Sequence, residues 1–269
     1  MDLNKLKYNI IEKKSFLCVG LDTDIKKIPK FLLTEYDPVY EFNKRIIQAT
    51  LPLTIAYKIN TAFYEARGPE GWRSLERTMK LLPENVLKIA DAKRGDIKNT
   101  SEHYAKTFFE IYGFDAVTIN PYMGYDSVEA YLNYFEKWTL LLTKTSNDGA
   151  NDFQNFEDAS GKKLYQKVID TALTWKKKGI LGFVAGANQP EALEYIRKVA
   201  PTHAILIPGV GTQGGDLDQA CRLGKATDGS YALMINCARK ILYAGSEEDF
   251  EEKAFIAGQD IVSRMQNFL

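Results

Sequence analysis

Leu87-Lys88-Ile89-Ala90-Asp91-Ala92-Lys93-Arg94-Gly95-Asp96-Ile97 runs from apolar residues straight into four charges and a glycine. The apolar half reads as a strand. Side chains alternate across a strand, so Asp91 and Lys93, two apart, are expected to point the same way at its carboxyl end. Gly95 permits a turn that a residue with a β-carbon would resist, and Asp96 then falls on the loop beyond it. Taken alone, the stretch is equally well a solvated strand end with a surface ion pair, worth little to stability. The rest of the chain decides between the two readings.

Seven other short apolar runs resemble the first half of this stretch. With Val86-Ala90 they make eight: Phe16-Leu21, Thr54-Ile59, Ala116-Asn120, Thr139-Thr143, Leu181-Ala185, Ala204-Ile207 and Tyr231-Asn236 complete the set. Helical patterns alternate with them over Pro38-Thr50, Trp72-Leu82, Thr100-Tyr112, Ser127-Phe135, Lys163-Lys178, Pro190-Val199, Asp216-Leu223 and Glu247-Phe268. Pro38 and Pro190 stand where a first helical turn accepts proline, and Gly113 and Gly179 just past helix ends. Strand-helix alternation of this kind, with near-continuous apolar strands, predicts an α/β protein built as a (β/α)8 TIM barrel with its active site at the carboxyl ends of the strands. An open doubly wound sheet would carry a glycine-rich turn after its first strand, where this chain has Leu21-Asp22-Thr23-Asp24. No linker rich in Pro, Gly or Ser divides the chain, so residues 1–269 are expected to form one barrel domain. The long irregular segment Asn147-Phe156 follows the fifth strand as a functional loop or an insertion.

Composition narrows the class. The 269 residues carry 35 Lys plus Arg against 35 Asp plus Glu, interspersed, which leaves no footprint for nucleic acid and no polybasic membrane patch. Met1 to Lys14 has no apolar core of signal-peptide length and no later run approaches a membrane span, so a cytoplasmic location is expected. Cys18, Cys221 and Cys237 lack the close paired spacing of a zinc site and are read as buried packing residues. His103 and His203 have no plausible second ligand nearby, which argues against a histidine-held metal or a Ser-His-Asp triad.

In such a barrel the strand ends converge on one mouth, where Asp22, Lys58, Asn60, Asp91, Lys93, Asp96, Ser146 and Arg239 then gather. The seventh end reads Pro208-Gly209-Val210-Gly211-Thr212-Gln213-Gly214-Gly215 and the eighth Asn236-Cys237-Ala238-Arg239. Backbone N–H groups at glycines, the Gln213 amide and the Arg239 fork suit a phosphate; a lone Gly-x-Gly would be no more than a tight turn. Lys58 lies inside Ile55-Ala56-Tyr57-Lys58-Ile59, where an interior lysine is expensive unless carboxylates pair with it, and Asp91 on the next strand is the natural partner. At ~4 Å and an effective dielectric near 20, such neighbours attract by about 4 kcal/mol, enough for two lysines to keep two aspartates ionised.

Four segments together resemble the orotidine 5′-phosphate decarboxylase family, in its longer bacterial type: Lys58-x-Asn60-x-Ala62-Phe63-Tyr64-Glu65, Asp91-Ala92-Lys93-Arg94-Gly95-Asp96-Ile97, Thr145-Ser146-Asn147 and Pro208-Gly209-Val210-Gly211-x-Gln213-Gly214-Gly215-Asp216. The resemblance covers nearly the whole chain. It implies conversion of orotidine 5′-monophosphate to uridine 5′-monophosphate and CO₂, without metal or organic cofactor, in a homodimer. By the same resemblance Lys58, Asp91, Lys93 and Asp96 form a charged tetrad, Asp96 coming from the partner subunit, with Lys93 as proton donor and Asp91 against the departing carboxylate. Asp22 and Lys58 are then implied at the ribose, Thr100 reaching it across the dimer, Ser146 at the pyrimidine edge, and Gln213 and Arg239 at the phosphate. Two positions depart from many relatives, Cys237 where serine is common and Asp148 where proline is, and neither carries an implied chemical role.

Three other readings share parts of this pattern. A magnesium-dependent sugar-phosphate lyase would need an acidic ligand near the second strand, where this chain offers Lys58. A Schiff-base aldolase would use Lys58 or Lys93 and be trapped by borohydride. A silent phosphoribosyl binder would not require two aspartates held beside two lysines.

Overall fold

In the computed structural model, which describes residues 1–210, 215–226 and 231–269, eight parallel strands close into a barrel in sequence order. They are β1 (Leu17–Gly20), β2 (Ala56–Asn60), β3 (Leu87–Arg94), β4 (Ala116–Ile119), β5 (Trp138–Lys144), β6 (Ile180–Ala185), β7 (Ala204–Pro208) and β8 (Leu233–Cys237). Closure comes from β1 pairing with β8, Leu17 opposite Ile235. The strands are largely apolar because one face fills the barrel and the other packs under helices, with polar residues gathered toward their carboxyl ends. Cys18, Ile89, Val117, Leu140, Phe183, Ile205 and Ile235 have no exposed surface.

The helices are α1 (Leu3–Lys13), α2 (Pro38–Thr50), α3 (Ala62–Glu65), α4 (Gly68–Leu81), α5 (Lys98–Lys106), α6 (Tyr125–Leu132), α7 (Leu164–Leu173), α8 (Pro190–Val199), α9 (Leu217–Gly224), α10 (Arg239–Leu242) and α11 (Phe250–Met265). Pro38 and Pro190 begin α2 and α8 as expected. No helix among the described residues is long and apolar enough to cross a membrane.

Several elements differ from the sequence reading. Residues Met1–Lys14 hold α1, which covers the amino ends of the strands: Leu6 and Ile10 are buried, Lys13 Nζ donates to Leu51 O and Thr54 O at 2.9 and 2.7 Å, and the terminal ammonium meets Asp115 at 3.2 Å. Only a few apolar residues punctuate its charges, so the amphipathic pattern is weak until the barrel supplies a floor to cover. The helix expected over Thr100-Tyr112 is in fact α5 followed by a π-turn at Thr107–Ile111. Phe108 and Phe109 are buried there, packing that overrides a regular helical repeat. The irregular segment after β5 is a short 3₁₀ turn, Asp148–Asp152, tied down by Gln154, whose side chain accepts from the Thr145 N–H at 2.8 Å.

β3 does not end where its apolar run ends. The strand continues through the charges to Arg94, and its register with β4 slips between Ala90 and Arg94. Lys93 takes a left-handed φ of +47°, unusual for a residue with a β-carbon. Gly95 is needed for another reason than an unusual φ: a β-carbon there would come within 2.8 Å of the Asn120 carbonyl oxygen. The three cysteines are buried, as expected.

Candidate active site

The carboxyl ends of the strands enclose a cavity of about 600 Å³. Asp22, Lys58, Asp91, Lys93, Ser146 and Arg239 line it, brought from five parts of the sequence by barrel closure. Asn60, Thr118 and Asn236 add polar surface from β2, β4 and β8, while Leu142, Val184 and Leu206 form its apolar floor.

At the centre lies a chain of alternating charges. Lys58, only 3 % exposed, donates to Asp22 Oδ1 at 3.1 Å and to Asp91 Oδ2 at 2.8 Å. The ammonium of Lys93 pairs with the other oxygen of Asp91. Lys93 is half exposed, so its end of the network faces the cavity, whereas Lys58 is walled in. Thr118 completes the cluster: its hydroxyl donates to Asp91 Oδ1 at 3.2 Å and accepts from the Lys93 backbone N–H at 3.0 Å.

The electrostatics follow from that geometry. Burial alone would push the Asp91 carboxyl up, but Lys58 and Lys93 outweigh it and hold Asp91 well below the usual carboxylate range. Burial alone would push Lys58 down, and Asp22 with Asp91 more than reverses this, so the ammonium stays charged. The centre of the mouth is thus two fixed ammonium groups around one obligate carboxylate.

Lys93 reaches its place because the strand bulges, so simple alternation is not what aims it at Asp91. Arg94 anchors the bulge. Its guanidinium donates to Ala92 O at 3.1 Å, pairs with Glu65 of α3, and lies 5.2 Å from the ring centre of Tyr104 on α5. Nothing in the sequence marks Thr118 or Arg94 as part of the site. Thr118 sits in an otherwise apolar strand and Arg94 is one charge among four, so neither residue type declares its partners.

Asp96 and Thr100 lie outside this cavity. The Asp96 carboxylate accepts from the Ile97 N–H at 2.7 Å, and Thr100 rides on the first turn of α5. Gly209 and Val210 line the wall beside Arg239, where φ of Gly209 is +95°. Gln213, with Gly211 and Gly214, lies outside the described residues. Among the described residues no three His, Cys, Asp or Glu side chains are grouped to hold a metal ion.

Fold and charged mouth together define a (β/α)8 barrel enzyme. The family model that matches residues 15–253 is that of the orotidine 5′-phosphate decarboxylase / HUMPS family. An orotidine 5′-phosphate decarboxylase from Phocaeicola vulgatus is 48% identical over 272 aligned positions, covering 100% of this chain and 99% of the relative. One from Flavobacterium johnsoniae is 50% identical, covering 94% of this chain and 93% of the relative. Among solved structures, OMP decarboxylase of Leishmania donovani superposes with a TM-score of 0.83 at 34% identity, covering 98% of this chain and 99% of the other. The chain belongs to this family and, by these relatives, to its decarboxylases, which are carboxy-lyases.

Proposed function

We propose that the chain converts orotidine 5′-monophosphate to uridine 5′-monophosphate and CO₂ in de novo pyrimidine synthesis, without a cofactor, as a cytoplasmic homodimer. The observation that carries the mechanism is Asp91 clamped between Lys58 and Lys93 at the cavity centre. Loss of CO₂ breaks the bond from carbon six of the pyrimidine to the carboxylate and leaves the electron pair on that ring carbon. Little resonance helps it, so the site must supply positive charge and a proton at the same place. Lys93 does both: its ammonium faces the cavity, stabilises the developing carbanion and passes a proton to carbon six, then regains one from solvent. Asp91, kept ionised, stands against the substrate carboxylate, a repulsion relieved as neutral CO₂ departs. Lys58 holds Asp91 and, with Asp22, meets the ribose hydroxyls.

Arg239 and Gln213 take the phosphate, Ser146 the pyrimidine edge. Part of the phosphate's binding free energy serves to orient the substrate and expel water from the mouth, so contacts remote from the reacting carbon raise the rate. Asp96 and Thr100, outside the chain's own cavity, are assigned to the partner subunit's site; the same face of the chain that carries them exposes Ile97. The test is the ultraviolet loss of orotidylate in a spectrophotometer, before and after exhaustive chelation. Full activity in both is expected. No loss of orotidylate rejects the reading, and loss that chelation abolishes replaces it with metal-assisted chemistry.

A further inference from the structure

A second cavity, of about 320 Å³, lies on the outer side of the sheet between the end of β5 and the start of α8. Lys144 lines it. This lysine is 4 % exposed, and its Nζ is fully buried with no hydrogen-bond partner among the described residues. A buried ammonium without acceptors is costly, and burial together with neighbouring Lys163 pulls its pKa down. Nothing in the chemistry at the barrel mouth uses it. The register of β5 with β6 slips between Leu142 and Lys144, which turns the lysine away from the main cavity toward the helix layer.

What meets Lys144 there is also electropositive. Lys163 lines the same cavity, and its one salt bridge among the described residues, 3.2 Å to Glu191, goes to a largely exposed carboxylate. The opposite wall is the first turn of α8, with Gln189, Pro190 and Glu191. Pro190 has no N–H, while Ala192 and Leu193 donate to Gln189 O, so the Glu191 N–H is the group the helix leaves unsatisfied. A ten-residue helix presents the positive end of its dipole at this point.

We propose that this cavity is a binding site for a small inorganic oxyanion, held by Lys144, Lys163 and the amino end of α8. An oxyanion supplies the acceptors that Lys144 lacks and neutralises the cations that Glu191 alone leaves in excess. The site stands apart from the chemistry at the mouth yet adjoins it. Thr145 and Ser146 follow Lys144 directly, and Asn188, which lines the second cavity, donates to Ser146 O at 3.1 Å. Occupancy therefore clamps the end of β5 to α8 behind the Ser146 turn.

The direct test is a crystal of the whole chain soaked in selenate with uridine 5′-monophosphate present, read by anomalous scattering. A selenium peak between Lys144 and the first turn of α8 is expected, saturable in a parallel titration of thermal stability at matched ionic strength. Lys144→Gln is expected to weaken selenate about tenfold, the loss of one charge-assisted hydrogen bond, with Lys144→Arg nearly restoring it. Should Lys144→Gln fail to fold, Lys163→Gln, at the cavity rim, is expected to weaken selenate in the same direction. Selenium found only in the main cavity, or binding here that none of these substitutions alters, overturns the proposal. Because selenium position is read and not turnover, failure here is distinct from failure of the decarboxylase reading.

Discussion

Asp91 is the residue whose state determines the others. It is ionised because two ammonium groups surround it, and removing either changes what the remaining charges can do. If Lys93 is the proton donor proposed above, Lys93→Ala is expected to abolish turnover while product-analogue affinity stays within a modest factor; steady-state rates beside analogue titration check this. Lys58 is different because it is buried. Lys58→Met leaves Asp22 and Asp91 facing each other with one counter-charge fewer, and we expect a loss of about 3–5 kcal/mol in urea unfolding at neutral pH. A carboxyl whose folded pKa is depressed contributes stability that is present above the unfolded pKa and lost as pH falls through the folded value. Wild-type Asp91 therefore contributes through the ordinary carboxylate range and below it. Without Lys58, burial has less opposing it, so the loss should begin at higher pH, which unfolding curves at several acidic pH values would show.

At β3 the geometry of the charged cluster depends on a strand that does not end where its apolar run ends. Four polar contacts replace what the slipped register gives up: Thr118 accepts from Lys93 N–H, Asn120 N–H donates to Arg94 O at 2.8 Å, and Arg94 ties Ala92 O to Glu65. A left-handed lysine costs on the order of 1–3 kcal/mol and persists only where its surroundings over-determine it. Arg94 is the longest-reaching of those surroundings, and it touches no part of the cavity. Arg94→Ala is thus expected to lower kcat about tenfold or more with little change in KM, by letting the Lys93 ammonium drift from its place. Arg94→Lys should rescue only part, because one ammonium cannot reproduce a fork that reaches a carbonyl and a carboxylate together. An unaltered kcat in Arg94→Ala would show that the bulge holds without it.

For the molecule as a whole, the question is whether one barrel makes one site. Asp96 is five residues past Asp91 in sequence yet outside the cavity that Asp91 lines. Ile97, beside it, is 60 % exposed. If each mouth borrows Asp96 and Thr100 from a partner, mixing Lys93→Ala subunits with Asp96→Asn subunits should regenerate some intact sites. One site in a mixed dimer would then carry both lesions and the other neither, so activity is expected to recover to about half per mixed dimer when each parent is inactive. Demonstrated subunit exchange with no recovery would return Asp96 to its own chain.

The amino-acid pattern alone determined the barrel. Alternating apolar strands and amphipathic helices are local properties, and their number and order leave few ways to bury both faces of every strand. It also pointed to the pairing of Lys58 with Asp91, since an interior lysine on β2 needs a carboxylate and strand adjacency follows from chain order. Only the tertiary structure decided how they meet. The slip at Ala90–Arg94, the left-handed Lys93, the roles of Thr118 and Arg94, the π-turn after α5 and the α1 floor all depend on residues distant in sequence. The same is true of Lys144, an ordinary strand-end lysine until β5 slips and α8 arrives beside it. Periodicity reports which face of an element is apolar; it carries no record of which polar atoms from other elements will converge there, because that is settled only when the chain closes on itself.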